Sequence, residues 1–197
     1  MPEKHITPVI LASASPRRRQ LLSDAGYRFK VVHPDIDETA YSADQIEPSR
    51  YAEQLALAKA KSIADKYPES LVIGADTIVD FLGRIIGKPS DAKEARQIVQ
   101  LLFSTPHQVI TGLAICRIRD GIEIVTNDST TVYPKPLTKE QIAGHIKSNS
   151  WKDKAGAYAI QENGDEFIEK IEGSMTNVMG LPMELLEQLL HKIAAGK

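Results

Sequence analysis

The sequence predicts an α/β protein built on a mixed, twisted sheet flanked by helices, and three observations carry that expectation. Short apolar runs of strand length alternate with stretches of helical spacing along the chain, as in layered α/β architectures. Turns bearing glycine and aspartate separate some apolar runs by only a few residues, which favours antiparallel hairpins and argues against an all-parallel sheet. No internal repeat, low-complexity tract or charge block breaks the pattern, so the 197 residues are expected to form one domain, residues 1–197, or two small lobes of it.

The run Val9 to Ala12 reads as a short buried strand. Ser15 before Pro16 is an N-cap followed by a favoured first helical residue, so a helix is expected from Pro16 to Ala25, with Gly26 closing it. Phe29 to His33 alternates like a strand and ends in a turn at His33-Pro34-Asp35. Pro48 to Tyr67 is a long helical stretch, with Tyr51, Leu55, Ala58 and Ser62 at helical spacing and Pro68 stopping it. Leu71-Val72-Ile73 is a buried strand, and Ile78 to Ile86 is a hairpin around Gly83. Ser90-Asp91 caps a helix that ends near Phe103. Val109 to Ile118 and Ile122 to Tyr133 form two strands joined at Asp120-Gly121. Thr138 to Lys147 and Pro182 to Ile193 are amphipathic helices, the first with Thr138 as its cap. The loop Ser148 to Ala157 is the expected boundary or mobile flap.

Charge and composition narrow the function. Twenty-four basic residues face 26 acidic ones, a formal charge of -2, which argues against a protein that coats nucleic acid and makes any polyanion site local. The one cysteine, Cys116, has no internal disulfide partner and lies in an apolar run, so a buried structural thiol in a reducing cytoplasm is expected. No segment approaches the length needed to span a bilayer, so no membrane partner is expected.

Leu11 to Arg19 holds hydroxyls and guanidiniums where a strand hands over to a helix. The first N–H groups of such a helix lack internal partners and its dipole favours anions, and Arg17 and Arg18 add forked cationic donors. The bland alternative is a capped helix with solvated arginines. In Gly74-Ala75-Asp76-Thr77, a carboxylate near a strand end could take a proton from water or hold Mg²⁺, or it could simply build an Asx turn. Asp37 and Glu38 matter only if they converge on Asp76. Lys59 and Lys61 are helix lysines, whereas Lys88, fixed between Gly87 and Pro89, is placed to meet a phosphate. The small residues of Lys154 to Gln161 permit close approach of a ligand and end in an amide able to read a base edge, or they make a tight strand entry. Trp151 just before them would shield the site or, the favoured reading, serve as a buried aromatic anchor. His107 and His145 lack metal-ligand spacing, and no P-loop or dinucleotide fingerprint is present.

Taken in order, Leu11 to Arg18, Gly74 to Thr77, Gly87-Lys88-Pro89, Thr111-Gly112 and Lys154 to Gln161 resemble the Maf family of nucleoside triphosphate pyrophosphatases, and Asn177 to Pro182 extends the match. The resemblance implies an elongated mixed sheet with two lobes around a cleft, similar to inosine triphosphate pyrophosphatases. It also implies hydrolysis of a nucleoside triphosphate between the α- and β-phosphates, assisted by a divalent cation such as Mg²⁺, Mn²⁺ or Co²⁺, and a homodimer. Carried over by motif, Ser13, Arg17 and Arg18 would bind phosphate, and Lys59 and Lys88 would neutralise it. Glu38 and Asp76 would hold metal or activate water, with Asp76 as general base. Arg17, Thr77 and Gln161 match the branch that resembles dTTP/UTP pyrophosphatases, and these three would set specificity. Arg19, Asn177 and Met179 receive no catalytic role. The alternatives are the family's 7-methyl-GTP branch and a nucleotide-binding regulator of septum formation without significant catalysis.

Overall fold

The computed structural model describes residues 8–152, 154–158 and 167–196. Seven strands join in a single mixed sheet. At its start, β1 (Val9–Ala12), buried at every residue, lies between β2 (Phe29–Val32) and β3 (Leu71–Phe81), parallel to both. Between β1 and β2 runs α1 (Pro16–Asp24), whose cap Ser15 accepts a hydrogen bond from the Arg18 N–H. The long helix α2 (Pro48–Ala64) leads into β3 and stops three residues before the expected Tyr67.

The largest departure from the sequence reading is β3. The expected strand ends at Ile73, because Gly74, Ala75 and Asp76 are poor strand formers. Instead the strand continues to Phe81, because β5 (His107–Arg117) pairs with it antiparallel from Val72↔Cys116 to Asp80↔Gln108 and satisfies its backbone. Asp76 is therefore in mid-strand and builds no Asx turn. β1 reaches only as far as Gly74, and β4 (Arg84–Ile86), the second arm of the expected hairpin, pairs only with residues 79–81. Residues 75–78 thus have a strand neighbour on one side alone, which leaves an opening in the sheet just past the end of β1.

Beyond β5, β6 (Ile122–Pro134) pairs antiparallel around the Gly121 turn, as expected. On its far side lies β7 (Ile168–Glu172), a strand that the sequence reading lacked. Helix α3 (Ala92–Leu102) is capped by Asp91, and α4 (Lys139–Lys147) carries a reciprocal capping box between Thr138 and Gln141. A short α5 (Met175–Val178) precedes α6 (Met183–Ala194).

Alternation along β3 and β5 decides which helix covers which face. Even-numbered residues, among them Val72, Ala114 and Cys116, pack on Ala56, Ala60 and Ile63 of α2. Odd-numbered ones, among them Ile73, Leu113 and Ile115, pack on Leu22 of α1 and Leu186 and Leu190 of α6. Gly74 and Gly112 let α2 lie directly on the sheet: a Cβ at Gly74 would collide with the Ala56 carbonyl, and one at Gly112 with the Ala52 carbonyl. Farther along the sheet, Val79, Val109 and Val132 form a second core with Leu102, Ile142 and Phe167.

Part of the segment expected as a boundary or flap packs into that core. Trp151, Ala157 and Tyr158 are buried in it, the Trp151 indole donates to the Ile146 carbonyl at 3.1 Å, and the Gly156 N–H donates to the Gly87 carbonyl at 3.1 Å. Gly144, by contrast, lies exposed within α4, and nothing stands within 4 Å of where its Cβ would be. Gly144→Ala is expected to stabilise the protein by about 0.5–1 kcal/mol through helix propensity, read as a higher denaturation midpoint at unchanged slope.

Candidate active site

A cleft of about 710 Å³ opens at the gap past β1. It gathers Ser13, Arg17, Arg18, Glu38, Lys59, Asp76, Thr77 and Lys88, eight of the nine residues singled out from the sequence. The ninth, Gln161, lies outside the described residues. Ligand sites of open α/β sheets form at such carboxyl ends of strands.

The close packing at Gly74 and Gly112 sets the register of α2 against β3, and so brings Lys59 onto the even-numbered face beside Asp76. The buried Lys59 ammonium lies 2.5 Å from Asp76 Oδ1 and 2.8 Å from Glu38 Oε1. Glu38 arrives from a single helical turn, Glu38–Ala40, after β2, so two carboxylates from separate elements converge on one cation. The remaining oxygen of each carboxylate has no hydrogen-bond partner among the described residues. Asp37 does not join them, because its carboxylate is engaged by the N–H and hydroxyl of Thr39. Lys61, the other lysine of the helix, pairs at the surface with Glu123.

Partial burial raises the pKa of Glu38. Its hydrogen bond to Lys59 and the charges of Lys59, Lys88 and Arg18 outweigh that effect and hold it below the usual glutamate value. A depressed carboxylate pKa stabilises the fold at pH above the unfolded value and loses that contribution as pH falls through the folded value. Wild-type protein is therefore expected to lose thermal stability more steeply than Glu38→Gln on acidification below about 4.5. Melting curves across that range check it, and parallel curves would sink the account.

On the other face, Arg18 ties the start of α1 to β3 and to the turn after α5. Its Nε donates to the Gly180 carbonyl at 2.7 Å, Nη1 to Ser13 Oγ at 3.3 Å and the Ala75 carbonyl at 2.9 Å, and Nη2 to Thr77 Oγ1 at 2.9 Å. These four bonds leave one of the five guanidinium N–H groups without a protein acceptor among the described residues. Burial lowers its pKa, opposed by the attraction of Asp76. Arg18 thus organises the pocket through the protein's own acceptors, whereas Arg17 and Lys88 line the cleft and Arg19 is exposed to solvent.

Sequence reasoning missed the carbonyl of Gly180 and the buried side chains of Thr111 and Asn177, which hold this arrangement from beneath. Asn177 Nδ2 donates to the Val109 carbonyl at 2.9 Å and to Thr130 Oγ1 at 3.0 Å, fixing the turn after α5 on the sheet. The only signal was that Thr111 and Asn177-Val178-Met179-Gly180 lay within quoted motifs; no residue type there announces chemistry. Lys154 also lines the cleft. His107 and His145 serve structure, the first bonded to the Tyr158 hydroxyl at 2.7 Å and the second to the Ala157 carbonyl at 2.8 Å. Cys116 is buried as expected, and burial pushes its thiol up to about 11.

Among the described residues no group of three or more His, Cys, Asp and Glu side chains forms a closed metal cage. Glu38 and Asp76 nevertheless suit a hard divalent cation that shares its shell with substrate phosphates and water, the usual habit of Mg²⁺. No helix among the described residues is long and apolar enough to cross a membrane.

Residues 8–193 match the family model described as Maf-like protein. A dTTP/UTP pyrophosphatase of Alkaliphilus oremlandii is 47% identical over 187 residues, covering 93% of this chain and 94% of the relative. One from Symbiobacterium thermophilum is 42% identical over 182 residues, covering 92% of each. The structure of the Staphylococcus aureus Ham1 protein superposes over 96% of this chain and 100% of its own, with a TM-score of 0.51 at 13% identity, a likeness of fold.

Proposed function

The chain belongs to the Maf family, and from that premise we propose that it is a nucleoside triphosphate pyrophosphatase that hydrolyses dTTP and UTP to the nucleoside monophosphate and pyrophosphate. The observation that carries the reading is the convergence of Asp76 and Glu38 on Lys59, in a cleft whose other wall is the start of α1 with Arg17. Carboxylates that could activate water thus stand beside cations that could hold phosphate.

In the proposed mechanism, Asp76 takes the proton of a water attacking the α-phosphorus in line. Negative charge then builds on the non-bridging oxygens and on the departing pyrophosphate. The side chains of Arg17, Lys59 and Lys88 and the backbone N–H of Arg17 at the start of α1 stabilise it, and Ser13 donates its hydroxyl proton to a phosphate oxygen. Glu38 and Asp76 would hold a divalent cation, which when bound supplies further neutralisation of phosphate charge. Gln161 reads the pyrimidine edge in this proposal, since an amide both donates and accepts. The cleft divides one domain into two lobes, and the active form is a cytoplasmic homodimer, a state that sedimentation would check.

The direct test is a panel of canonical and modified nucleoside triphosphates assayed for pyrophosphate release with Mg²⁺, Mn²⁺ and Co²⁺. dTTP and UTP are expected to be the best substrates. A preference for 7-methyl-GTP would overturn the specificity assigned through Arg17, Thr77 and Gln161.

A further inference from the structure

The hydrogen bonds around Arg18 determine which way the cleft hydroxyls can point. Thr111 is fully buried, and its Oγ1 lies 3.0 Å from the Asn177 carbonyl oxygen and 3.0 Å from Thr77 Oγ1. A carbonyl oxygen only accepts, so the single Thr111 proton goes to Asn177. Thr111 can then only accept from Thr77, which commits the Thr77 proton. Arg18 Nη2 can only donate, so it occupies one of the two Thr77 lone pairs. What Thr77 offers to the cleft is one lone pair and no proton.

Ser13 has the opposite polarity. Its Oγ accepts from the Ser15 N–H at 3.1 Å and from Arg18 Nη1 at 3.3 Å, which leaves it a proton to donate. Two hydroxyls held by the same guanidinium are thus set as a donor and an acceptor. A phosphate oxygen, which carries only lone pairs, suits Ser13 and is repelled by Thr77.

We infer that Thr111 is a positioning residue that locks Thr77 as a hydrogen-bond acceptor, so that Thr77 recognises an N–H or O–H group of the bound nucleotide and takes no phosphate. The inference rests on the pyrophosphatase reading proposed above. dTTP and UTP share two such donors, the imide N–H of the base and the 3′-hydroxyl of the sugar.

The test measures kcat/KM by pyrophosphate release for UTP, N3-methyl-UTP and 3′-deoxy-UTP, with wild type, Thr111→Val and Thr111→Ser, each first checked for native circular dichroism. The wild type is expected to disfavour the analogue lacking the recognised donor by on the order of tenfold. The methyl arm assigns that donor to the base, and the deoxy arm assigns it to the sugar. Thr111→Val frees the Thr77 proton and is expected to shrink the ratio severalfold, whereas Thr111→Ser restores the buried acceptor and keeps it. Steric effects of either analogue on the cleft do not depend on Thr111, so the change in ratio isolates polarity. If Thr111→Val does not fold, Thr77→Val replaces it and is expected to erase the ratio. Equal use of all three nucleotides by wild type, or a ratio unmoved by the valine variant, overturns the inference alone. A wild type that releases no pyrophosphate from UTP overturns the proposed function, and the inference with it.

Discussion

Asp76→Asn is expected to lower pyrophosphate release from dTTP and UTP by roughly 10²–10⁴-fold while the protein stays folded, the range typical of a lost general base. The substitution preserves shape, and an asparagine oxygen can still accept from the Lys59 ammonium, which stands 2.5 Å from Asp76 Oδ1. Lys59 also keeps Glu38 at 2.8 Å, so no buried cation is stranded. Only the charge and basicity of the group disappear, which should fall on kcat more than on nucleotide affinity. Three measurements decide the matter: turnover, nucleotide binding by calorimetry, and the unfolding midpoint. Near-normal turnover in a folded variant would remove Asp76 from the role of base, and a collapse of stability would show that the carboxylate mainly holds α2 to the sheet.

Gly112→Ala tests the scaffold instead of the chemistry. A Cβ there would collide with the Ala52 carbonyl and approach the Glu53 nitrogen to 2.6 Å, both of them backbone atoms of α2 that cannot rotate aside. The expected loss is about 3 kcal/mol, the upper end of ordinary overpacking costs. Activity should fall as well, because a helix lifted at Ala52 carries Lys59, two turns later, away from Asp76 and Glu38. Gly87→Ala is the matching control. Nothing stands within 4 Å of its would-be Cβ, and stability should change by no more than about 0.5 kcal/mol. Equal stability of the two variants, read from denaturant midpoints, would refute the packing account.

Local signals carried much of the fold. Caps at Ser15, Asp91 and Thr138 marked helix starts because the capping bond spans only three residues. The β3–β4 hairpin and the β5–β6 turn were legible because their pairing is also local in sequence. β7 escaped because only Ile168 of its five residues is buried, and its partner β6 lies more than thirty residues upstream. The site divides in the same way. Ser13 and Arg17 stood out because hydroxyls and guanidiniums at a strand-to-helix junction suit an anion, Asp76 because a carboxylate near a strand end can take a proton or hold Mg²⁺, and Lys88 because Gly87 and Pro89 fix it where a cation can meet a phosphate.

By itself, then, the sequence determined the helix starts, the apolar strands, the mixed sheet and the set of charged groups, since all of these follow from residue type and short-range spacing. Only the tertiary structure decided that β3 continues through Asp76, that Glu38 and Lys59 meet it across separate elements, that Arg18 is largely occupied by the protein, and that Thr77 is left as an acceptor. Those outcomes depend on contacts between residues far apart in the chain. No local propensity encodes such contacts, because they exist only once α2 has settled onto Gly74 and Gly112 and the turn at Gly180 has closed over Arg18.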